Sequence, residues 1–224
     1  MSMPDSIRFV IISDTHRKHS FLSLPRGDFL IHCGDFSNSK EYSIRKFAKW
    51  LHSQHFLHKL IVLGNNELKI TKSTEQISKW ISEECSEAVL LINQSVTIDD
   101  FVFYGANWGF NGEESFQPDP TKTFVFLSHQ PPYNILDMMA VSSLSSPSFH
   151  GGSHPILDFI SKNKPKLVCF GHSHNCFGVM KDETTTYVNA TFVNNLSIPV
   201  KGAVILKYID GEFVRKGYNF FKTI

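Results

Sequence analysis

The sequence predicts an α/β fold, built either on one mixed β-sheet or on two sheets packed face to face and flanked by helices. Two observations support this prediction. Short apolar runs rich in branched and aromatic residues recur along the chain, as β-strands require. Segments with helical periodicity separate several of the early runs, which is typical of parallel βαβ units, whereas the later runs lack intervening helices and look more like hairpins.

Eight apolar runs are the predicted strands, and each is bounded by polar or turn-forming residues. In chain order they are residues 7–12, 28–33, 59–63, 101–106, 123–128, 166–170, 185–190 and 203–209. Two irregular stretches, 107–122 and 130–152, each begin where a predicted strand ends. Loops in this position commonly carry the functional residues of α/β proteins.

Three segments show the spacing of an amphipathic helix, with apolar residues returning to one face every three or four positions. The shared faces are Ile44, Phe47, Ala48 and Leu51 in residues 40–57; Ile77, Trp80 and Ile81 in residues 74–85; and Ile156, Leu157 and Ile160 in residues 153–162. Ser73 or Thr74 is a suitable N-cap for the second helix. The segment QHFLHK, residues 54–59, is interpreted as the end of the first helix.

Length and charge restrict the possible functions. A chain of 224 residues without repeats or a clear linker is expected to form one domain, residues 1–224. The net charge is +1, so no strong positive field is available to bind duplex nucleic acid. The N-terminal apolar run, residues 9–12, is too short for a signal peptide or a membrane span. We therefore expect a cytoplasmic protein that does not insert into membranes.

Residue types that bind metals follow five of the predicted strands. The segments are SDTH (13–16), GDFS (34–37), GNNE (64–67), SHQPP (128–132) and GHSH (171–174). Because parallel strands end at one edge of a sheet, we expect two aspartates, one asparagine and four histidines to face a common point. Imidazole and carboxylate suit divalent first-row metals, and this many donors supports two ions with one shared carboxylate. Two such ions roughly 3.5–4 Å apart can hold the oxygens of a phosphoryl transfer and activate a water as hydroxide.

The five motifs, in this order, resemble those of the calcineurin-like metallophosphoesterases. Residues 164–191, KPKLVCFGHSHNCFGVMKDETTTYVNAT, look like the metallophosphoesterase-domain-containing subfamily, which is similar to class III-type cyclic nucleotide phosphodiesterases. The resemblance implies a four-layer α/β/β/α sandwich with two mixed β-sheets and a binuclear metal site at the strand ends. It also implies two divalent transition metal ions, Mn, Fe or Zn, and we expect Mn to support activity in vitro.

The resemblance also assigns the ligands residue by residue. The first metal would be held by Asp14, His16 and His174, the second by Asn65, His129 and His172, and Asp35 would bridge them. The implied activity is that of a phosphodiesterase acting on a small phosphodiester, such as a cyclic nucleotide, through a metal-activated hydroxide. Asn66, Asp35 and His129 are the expected catalytic residues.

One position departs from the family pattern, which usually reads Gly-Asn-His at the third motif. Here the segment is Gly64-Asn65-Asn66-Glu67, so Asn66 replaces a histidine that gives a proton to the leaving oxygen or stabilises the transition state. Asparagine donates hydrogen bonds but supplies no proton, and loss of a general acid lowers rates by about 10²–10⁴-fold. The chain is therefore predicted to favour substrates with good leaving groups. The alternative is a catalytically weak metal-binding scaffold that recruits proteins; a nuclease is disfavoured by the missing basic patch.

Several other residues have two interpretations from sequence alone. Glu67 either orients Asn66 or makes a surface salt bridge, and Asn189 either supports the metal ligands or forms an ordinary turn. Arg17 either meets a phosphate group or is simply exposed. His150 and His154, in the loop after His129, are candidates to replace the missing acid and are otherwise solvated loop residues.

Overall fold

The computed structural model describes residues 6–69, 73–112, 115–139 and 148–215. Its strands are β1 (Ile7–Ile12), β2 (Phe29–His32), β3 (His58–Ile61), β4 (Ala88–Leu90), β5 (Gln94–Ile98), β6 (Phe101–Gly105), β7 (Thr123–Leu127), β8 (Met138–Met139), β9 (Phe149–His150), β10 (Leu167–Phe170), β11 (Gly178–Lys181), β12 (Thr186–Asn189), β13 (Val204–Ile209) and β14 (Glu212–Arg215). Its helices are α1 (Glu41–His52), α2 (Thr74–Glu84) and α3 (His154–Asn163), with a 3₁₀ turn at His19–Phe21. All eight predicted strands and all three predicted helices are therefore confirmed.

The strands form two six-stranded mixed sheets and a separate β8–β9 pair. The first sheet has the order β14-β13-β1-β2-β3-β4, in which β1 to β4 are parallel and β13 and β14 are antiparallel additions. The second has the order β11-β12-β10-β7-β6-β5, with β6, β7, β10 and β12 parallel. The pairing of Ile12 with His32, and of His32 with Ile61, makes the ends of β1, β2 and β3 level. The turns that follow these three strands therefore begin side by side at the same edge of the sheet.

Three hydrophobic clusters define the layers. Alternate residues of a strand face opposite sides, so Phe9 of β1 points between the sheets while its neighbour Val10 points towards the helices. The cluster between the sheets includes a stacked pair, Phe9 and Phe29, with ring centroids 4.7 Å apart. Helices α1 and α2 cover the outer face of the first sheet, and α3 covers that of the second. The predicted four-layer α/β/β/α sandwich is confirmed.

Some predicted details were wrong. Helix α1 ends at His52 rather than near residue 57, because His58 already pairs with Phe29 in the sheet. The segment 54–59 is therefore a loop that leads into β3 and not the end of a helix. Strands β10 and β12 are parallel neighbours rather than a hairpin, with β11 lying antiparallel beside β12.

Helix α2 begins at the predicted N-cap, since the side chain of Ser73 accepts a hydrogen bond from the backbone amide of Gln76 at 3.2 Å. The second irregular stretch contains the short β8–β9 pair, and its residues 140–147 lie outside the described residues, as do residues 113–114 of the first stretch. Within the described ranges, every helix is too short or too polar to cross a lipid bilayer.

Candidate metal centre

The seven residues predicted as metal ligands come together where the parallel strands of both sheets end. In the first group, one ligand atom each from Asp14, His16 and His174 lies within 4.8 Å of the others. The Nε2 atom of His174 is 3.2 Å from Oδ1 of Asp14 and 3.4 Å from Nε2 of His16. Asp14 and His16 follow β1, and His174 follows β10, so the two sheets contribute jointly to this group.

The second group consists of Asp35, His129 and His172, whose ligand atoms also lie within 4.8 Å of one another. The amide oxygen of Asn65 joins it, 3.2 Å from Nε2 of His129. Asp35 lies between the groups, because its Oδ2 atom is 3.5 Å from Nε2 of His129 and 3.9 Å from Nε2 of His16. This is the position that a bridging carboxylate needs.

The two carboxylates at the centre are buried, with Asp14 fully inaccessible and Asp35 2% exposed. Burial raises the pKa of Asp14, but the attraction of His129 and its other imidazole neighbours outweighs burial and holds the pKa well below its usual value. Burial lowers the pKa of His129, but the charges of Asp35 and Asp14 outweigh it and raise that pKa to about 10. Two buried negative charges thus require a positive charge beside them, which a divalent cation would supply.

Hydrogen bonds away from the centre orient the imidazoles. The Nδ1 atom of His129 lies 2.7 Å from the carbonyl oxygen of Cys33, and that of His174 lies 3.1 Å from the carbonyl oxygen of Asn194. Donation from Nδ1 to these carbonyls turns each Nε2 atom towards the carboxylates, so that a cation displacing the Nε2 proton would meet the lone pair there. Burial, and then the charge of His129, lower the pKa of His172 to about 4, so this imidazole is neutral.

The turns that carry the ligands have unusual backbone conformations. Four of the seven candidate ligands have positive φ angles: Asp14 (53°), His16 (42°), Asp35 (57°) and His172 (65°). Such angles cost about 1–2 kcal/mol for a residue with a Cβ and tend to cluster at functional sites. Glycine is needed at Gly171 for a different reason, since a Cβ there would clash with Ser13 Oγ and Asp14 Oδ2.

Glu67 is fully buried and supports the backbone of the turns that follow β2 and β3. Its Oε2 atom accepts hydrogen bonds from the amides of Asp35 (2.8 Å) and Gly64 (2.9 Å). Its Oε1 atom accepts from the amide and the hydroxyl of Ser37 at 2.8 and 2.9 Å. Burial, and then the charge of Asp35, raise the pKa of Glu67 to about 7. Neither interpretation from the sequence was right, because Glu67 binds the turn after β2 to the turn after β3.

We expect Glu67→Gln to destabilise the fold by about 1–3 kcal/mol. The NH₂ group of the glutamine would face N–H donors that now bind a carboxylate oxygen, and these buried groups would lose their acceptor. Since Glu67 positions Asp35 from outside the ligand set, metal affinity should also fall by about 10–100-fold. Urea unfolding and Mn²⁺ titration measure the two effects. The exposed Glu183 in the turn after β11 offers the matched control, Glu183→Gln. Equal behaviour of the two variants would contradict the role given to Glu67.

Asn66 is held against the residue that lies between the two groups. Its amide Nδ2 donates to Oδ2 of Asp35 at 2.5 Å, and its backbone amide donates to Oδ1 of Asp35 at 2.9 Å. The side chain is only partly buried. Asn66 therefore orients the Asp35 carboxylate, a contact that the sequence alone did not indicate.

Two further residues support the first group from β12 and the turn that follows it. Asn189, fully buried, donates from Nδ2 to the carbonyl of Ser173 at 2.9 Å and accepts from the hydroxyl of Thr191 at 2.7 Å through Oδ1. Thr191 Oγ1 also contacts Asp14 Oδ2 at 3.1 Å. The supporting interpretation of Asn189 is thus the better one, while Thr191 carries no sequence signal that would have singled it out.

The remaining candidates have other neighbours. The ring of Trp108, in the loop after β6, packs 4.8 Å from that of His172, a contact that no sequence motif indicated. Nδ1 of His150 lies 2.7 Å from the carboxylate of Asp137, and His154 stacks on Tyr133 at 4.0 Å. These contacts account for both histidines without a role as a replacement acid.

The donor set fits two divalent cations. Each group combines imidazole nitrogens with one carboxylate, Asn65 adds an amide oxygen to the second, and Asp35 reaches both. Neutral imidazoles and ionised carboxylates are the protonation states that divalent transition metals bind. A third set of possible donors, His52, Cys85 and Glu87, lies elsewhere, and there the Glu87 carboxylate is paired with Lys59 at 2.7 Å.

The chain is similar in sequence to known metallophosphoesterase-domain-containing proteins. Human metallophosphoesterase domain-containing protein 1 is 28% identical over 237 residues, which cover 91% of this chain and 71% of that protein. The UPF0046 protein K07C11.7 of Caenorhabditis elegans is 29% identical over 211 residues, covering 84% of this chain and 70% of that protein. The predicted resemblance to metallophosphoesterase-domain-containing proteins is thereby confirmed.

Solved structures support the fold. Phosphopantetheinyl hydrolase (PptH) from Mycobacterium tuberculosis has a TM-score of 0.59 at 15% identity, covering 87% of this chain and 92% of that chain. TT1561 of Thermus thermophilus has a TM-score of 0.54 at 13% identity, covering 85% and 90%. The family model of the calcineurin-like phosphoesterases matches residues 7–176, the segment that holds all seven candidate ligands. The protein is therefore a member of the calcineurin-like phosphoesterase family, whose activity is metal-dependent phosphoester hydrolysis.

Proposed function

We propose that the protein is a phosphodiesterase that hydrolyses small phosphodiesters, such as cyclic nucleotides, with the help of two divalent metal ions. We propose further that Mn²⁺ fills this role in vitro. The observation that carries the proposal is the pair of adjacent donor groups with Asp35 between them. Asp14, His16 and His174 would hold one ion, Asn65, His129 and His172 the other, and Asp35 would contact both. When bound, two such ions polarise phosphoryl oxygens and supply a nucleophile at neutral pH.

The residues around this centre have distinct parts in the proposal. Asp14 and Asp35 provide the negative charge that holds the cations, and the hydrogen bond from His129 to Cys33 keeps that ring in place. Asn66 is only partly buried, so its amide can bind a phosphoryl oxygen or the leaving oxygen while it contacts Asp35. It has no proton to give to that oxygen. The enzyme should therefore act best on esters with good leaving groups.

The first test of the function is hydrolysis of bis-p-nitrophenyl phosphate. We expect turnover with added Mn²⁺, none after treatment with a chelator, and recovery when Mn²⁺ is returned, because the clustered ligands have little catalytic power alone. Release of p-nitrophenolate measures all three rates. Cyclic nucleotides and single-stranded oligonucleotides, offered as competitors, then separate a small-diester enzyme from a nuclease.

A metal-binding scaffold is the second candidate, and the specific observation in its favour is Asn66 in place of the family histidine. Bound Mn²⁺ without turnover on any diester would favour the scaffold and contradict the phosphodiesterase. Metal titration in parallel with the hydrolysis assay distinguishes this outcome from a protein that binds no metal.

A further inference from the structure

A cavity of about 320 Å³ opens beside the candidate metal centre and shares one wall with it, the side chain of His16. Its other walls come from the turn after β1 and from the start of helix α1. The residues that matter below are Arg17, His19, Asn38, Lys40, Tyr42 and Lys46. The volume is that of a small-molecule site rather than of a groove for a polymer.

The cavity wall carries positive charge that has no partner of its own. Arg17, Lys40 and Lys46 are exposed, and none of the described residues lining the cavity is acidic. Across the ranges that the structure describes, none of these three side chains has a carboxylate within 4.0 Å. Arg45 on the same helix differs, because it contacts Glu41, Glu83 and Glu84. Lys49 of α1 likewise contacts Glu84, so on this helix the cation without such a contact among the described residues is Lys46, which lines the cavity.

Two polar atoms in the same wall also lack hydrogen-bond partners. His19 is 1% exposed, and its Nδ1 atom has none among the described residues. Its ring is fixed by Phe47 and Trp50, with centroids 5.6 and 5.0 Å away. The buried Oδ1 atom of Asn38 is likewise unpartnered. Both atoms are buried within the wall, so they make it polar without reaching the open volume.

An aromatic ring completes the wall. Tyr42 lies in the first turn of α1 with 77% of its surface exposed, although a tyrosine normally buries most of its ring. An exposed aromatic face next to cationic side chains is the combination used to bind a base and its phosphates. The size of the cavity, its positive charge and the exposed ring therefore point to one kind of ligand.

We propose that this cavity binds the part of the substrate beyond the reacting phosphorus, and that this part is a nucleoside carrying a second phosphate group. The proposal rests on the phosphodiesterase function above, since His16 belongs to both sites. The second phosphate lies against Arg17, Lys40 and Lys46, and the base lies on Tyr42.

The test uses two substrates that differ by one phosphate, the p-nitrophenyl ester of thymidine 5′-phosphate with and without a 3′-phosphate. We expect the 3′-phosphate to raise kcat/KM by about tenfold or more, the value of one charge-assisted hydrogen bond. In the double variant Lys40→Gln/Lys46→Gln the ratio of the two kcat/KM values should fall towards one. Asn38→Asp, which changes no volume but adds a negative charge, should lower the ratio as well. Lys49→Gln on α1, outside the cavity lining, is the matched control and should keep the wild-type ratio.

Binding gives a readout that does not depend on turnover. Calorimetry is carried out with thymidine 3′,5′-bisphosphate and thymidine 5′-phosphate, with and without Mn²⁺. The wild type should bind the bisphosphate about tenfold more tightly, and Lys40→Gln/Lys46→Gln should abolish this preference. If the protein shows that preference but hydrolyses neither ester, the proposed binding site in the cavity is supported and the proposed phosphodiesterase activity is contradicted. Hydrolysis of both esters with equal kcat/KM, or a preference that the double variant retains, would overturn the proposal for the cavity and leave the phosphodiesterase intact.

Discussion

Replacing Asp35 by alanine is expected to lower the Mn²⁺-dependent kcat/KM for bis-p-nitrophenyl phosphate by more than about 100-fold. Loss of a residue that merely supports a metal ligand costs about 10–100-fold, and Asp35 lies between both ligand groups. The alanine variant removes a carboxylate that lies 3.9 Å from Nε2 of His16 and 3.5 Å from Nε2 of His129. Affinity for at least one Mn²⁺ ion should fall together with the rate.

Folding must be separated from metal binding in this experiment, because Asp35 is 2% exposed and accepts two hydrogen bonds from Asn66. Asp35→Asn keeps the size of the side chain and one of the two acceptors for Asn66, so it should be less destabilised than Asp35→Ala and still lose activity. Asp158→Ala, an exposed position on α3, controls for the loss of an aspartate elsewhere. Metal content and thermal unfolding are measured on all three. Wild-type turnover in folded Asp35→Asn would show that the chemistry takes place without this carboxylate.

The ligand set was predictable because its chemistry leaves a mark on the sequence. Imidazoles and carboxylates directly after apolar runs are unusual, and parallel strands bring such positions to one edge. GHSH, for example, places His172 and His174 in different donor groups from a single turn. The buried strands were recognised from their apolar runs, while the more polar and more exposed edge strands, such as β5 and β14, were not.

The supporting residues were not predictable in the same way. A glutamate is seldom fully buried, and nothing local distinguishes Glu67 from an exposed one. Its burial follows from the meeting of two turns that are about thirty positions apart in the chain. The same holds for the cavity, because the turn holding His19 and the helix holding Lys46 become neighbours only when β1 and β2 pair. Such features belong to tertiary structure and have no period or motif in the sequence.

Asn66→His is expected to raise turnover on esters with poor leaving groups, such as cyclic nucleotides, by about 10–100-fold, and to change turnover on bis-p-nitrophenyl phosphate little. A well-aligned general acid contributes about 10²–10⁴-fold, and an engineered one should recover part of that. A nitrophenolate leaves without protonation, whereas an alkoxide needs a proton. Asn66 already holds Asp35 at 2.5 Å through Nδ2, and an imidazole N–H can replace that contact.

Asn66→Ala separates the two roles of this position. It removes the hydrogen bond to Asp35 without adding an acid, so it should lower turnover on both kinds of ester to a similar degree. If histidine acts as an acid, only Asn66→His will change the ratio of the two rates, and its rate on cyclic nucleotides will fall as pH rises through the pKa of the new imidazole. An equal change on both esters, or none on either, would mean that Asn66 serves only to position Asp35 and that the leaving group needs no proton from this side of the centre.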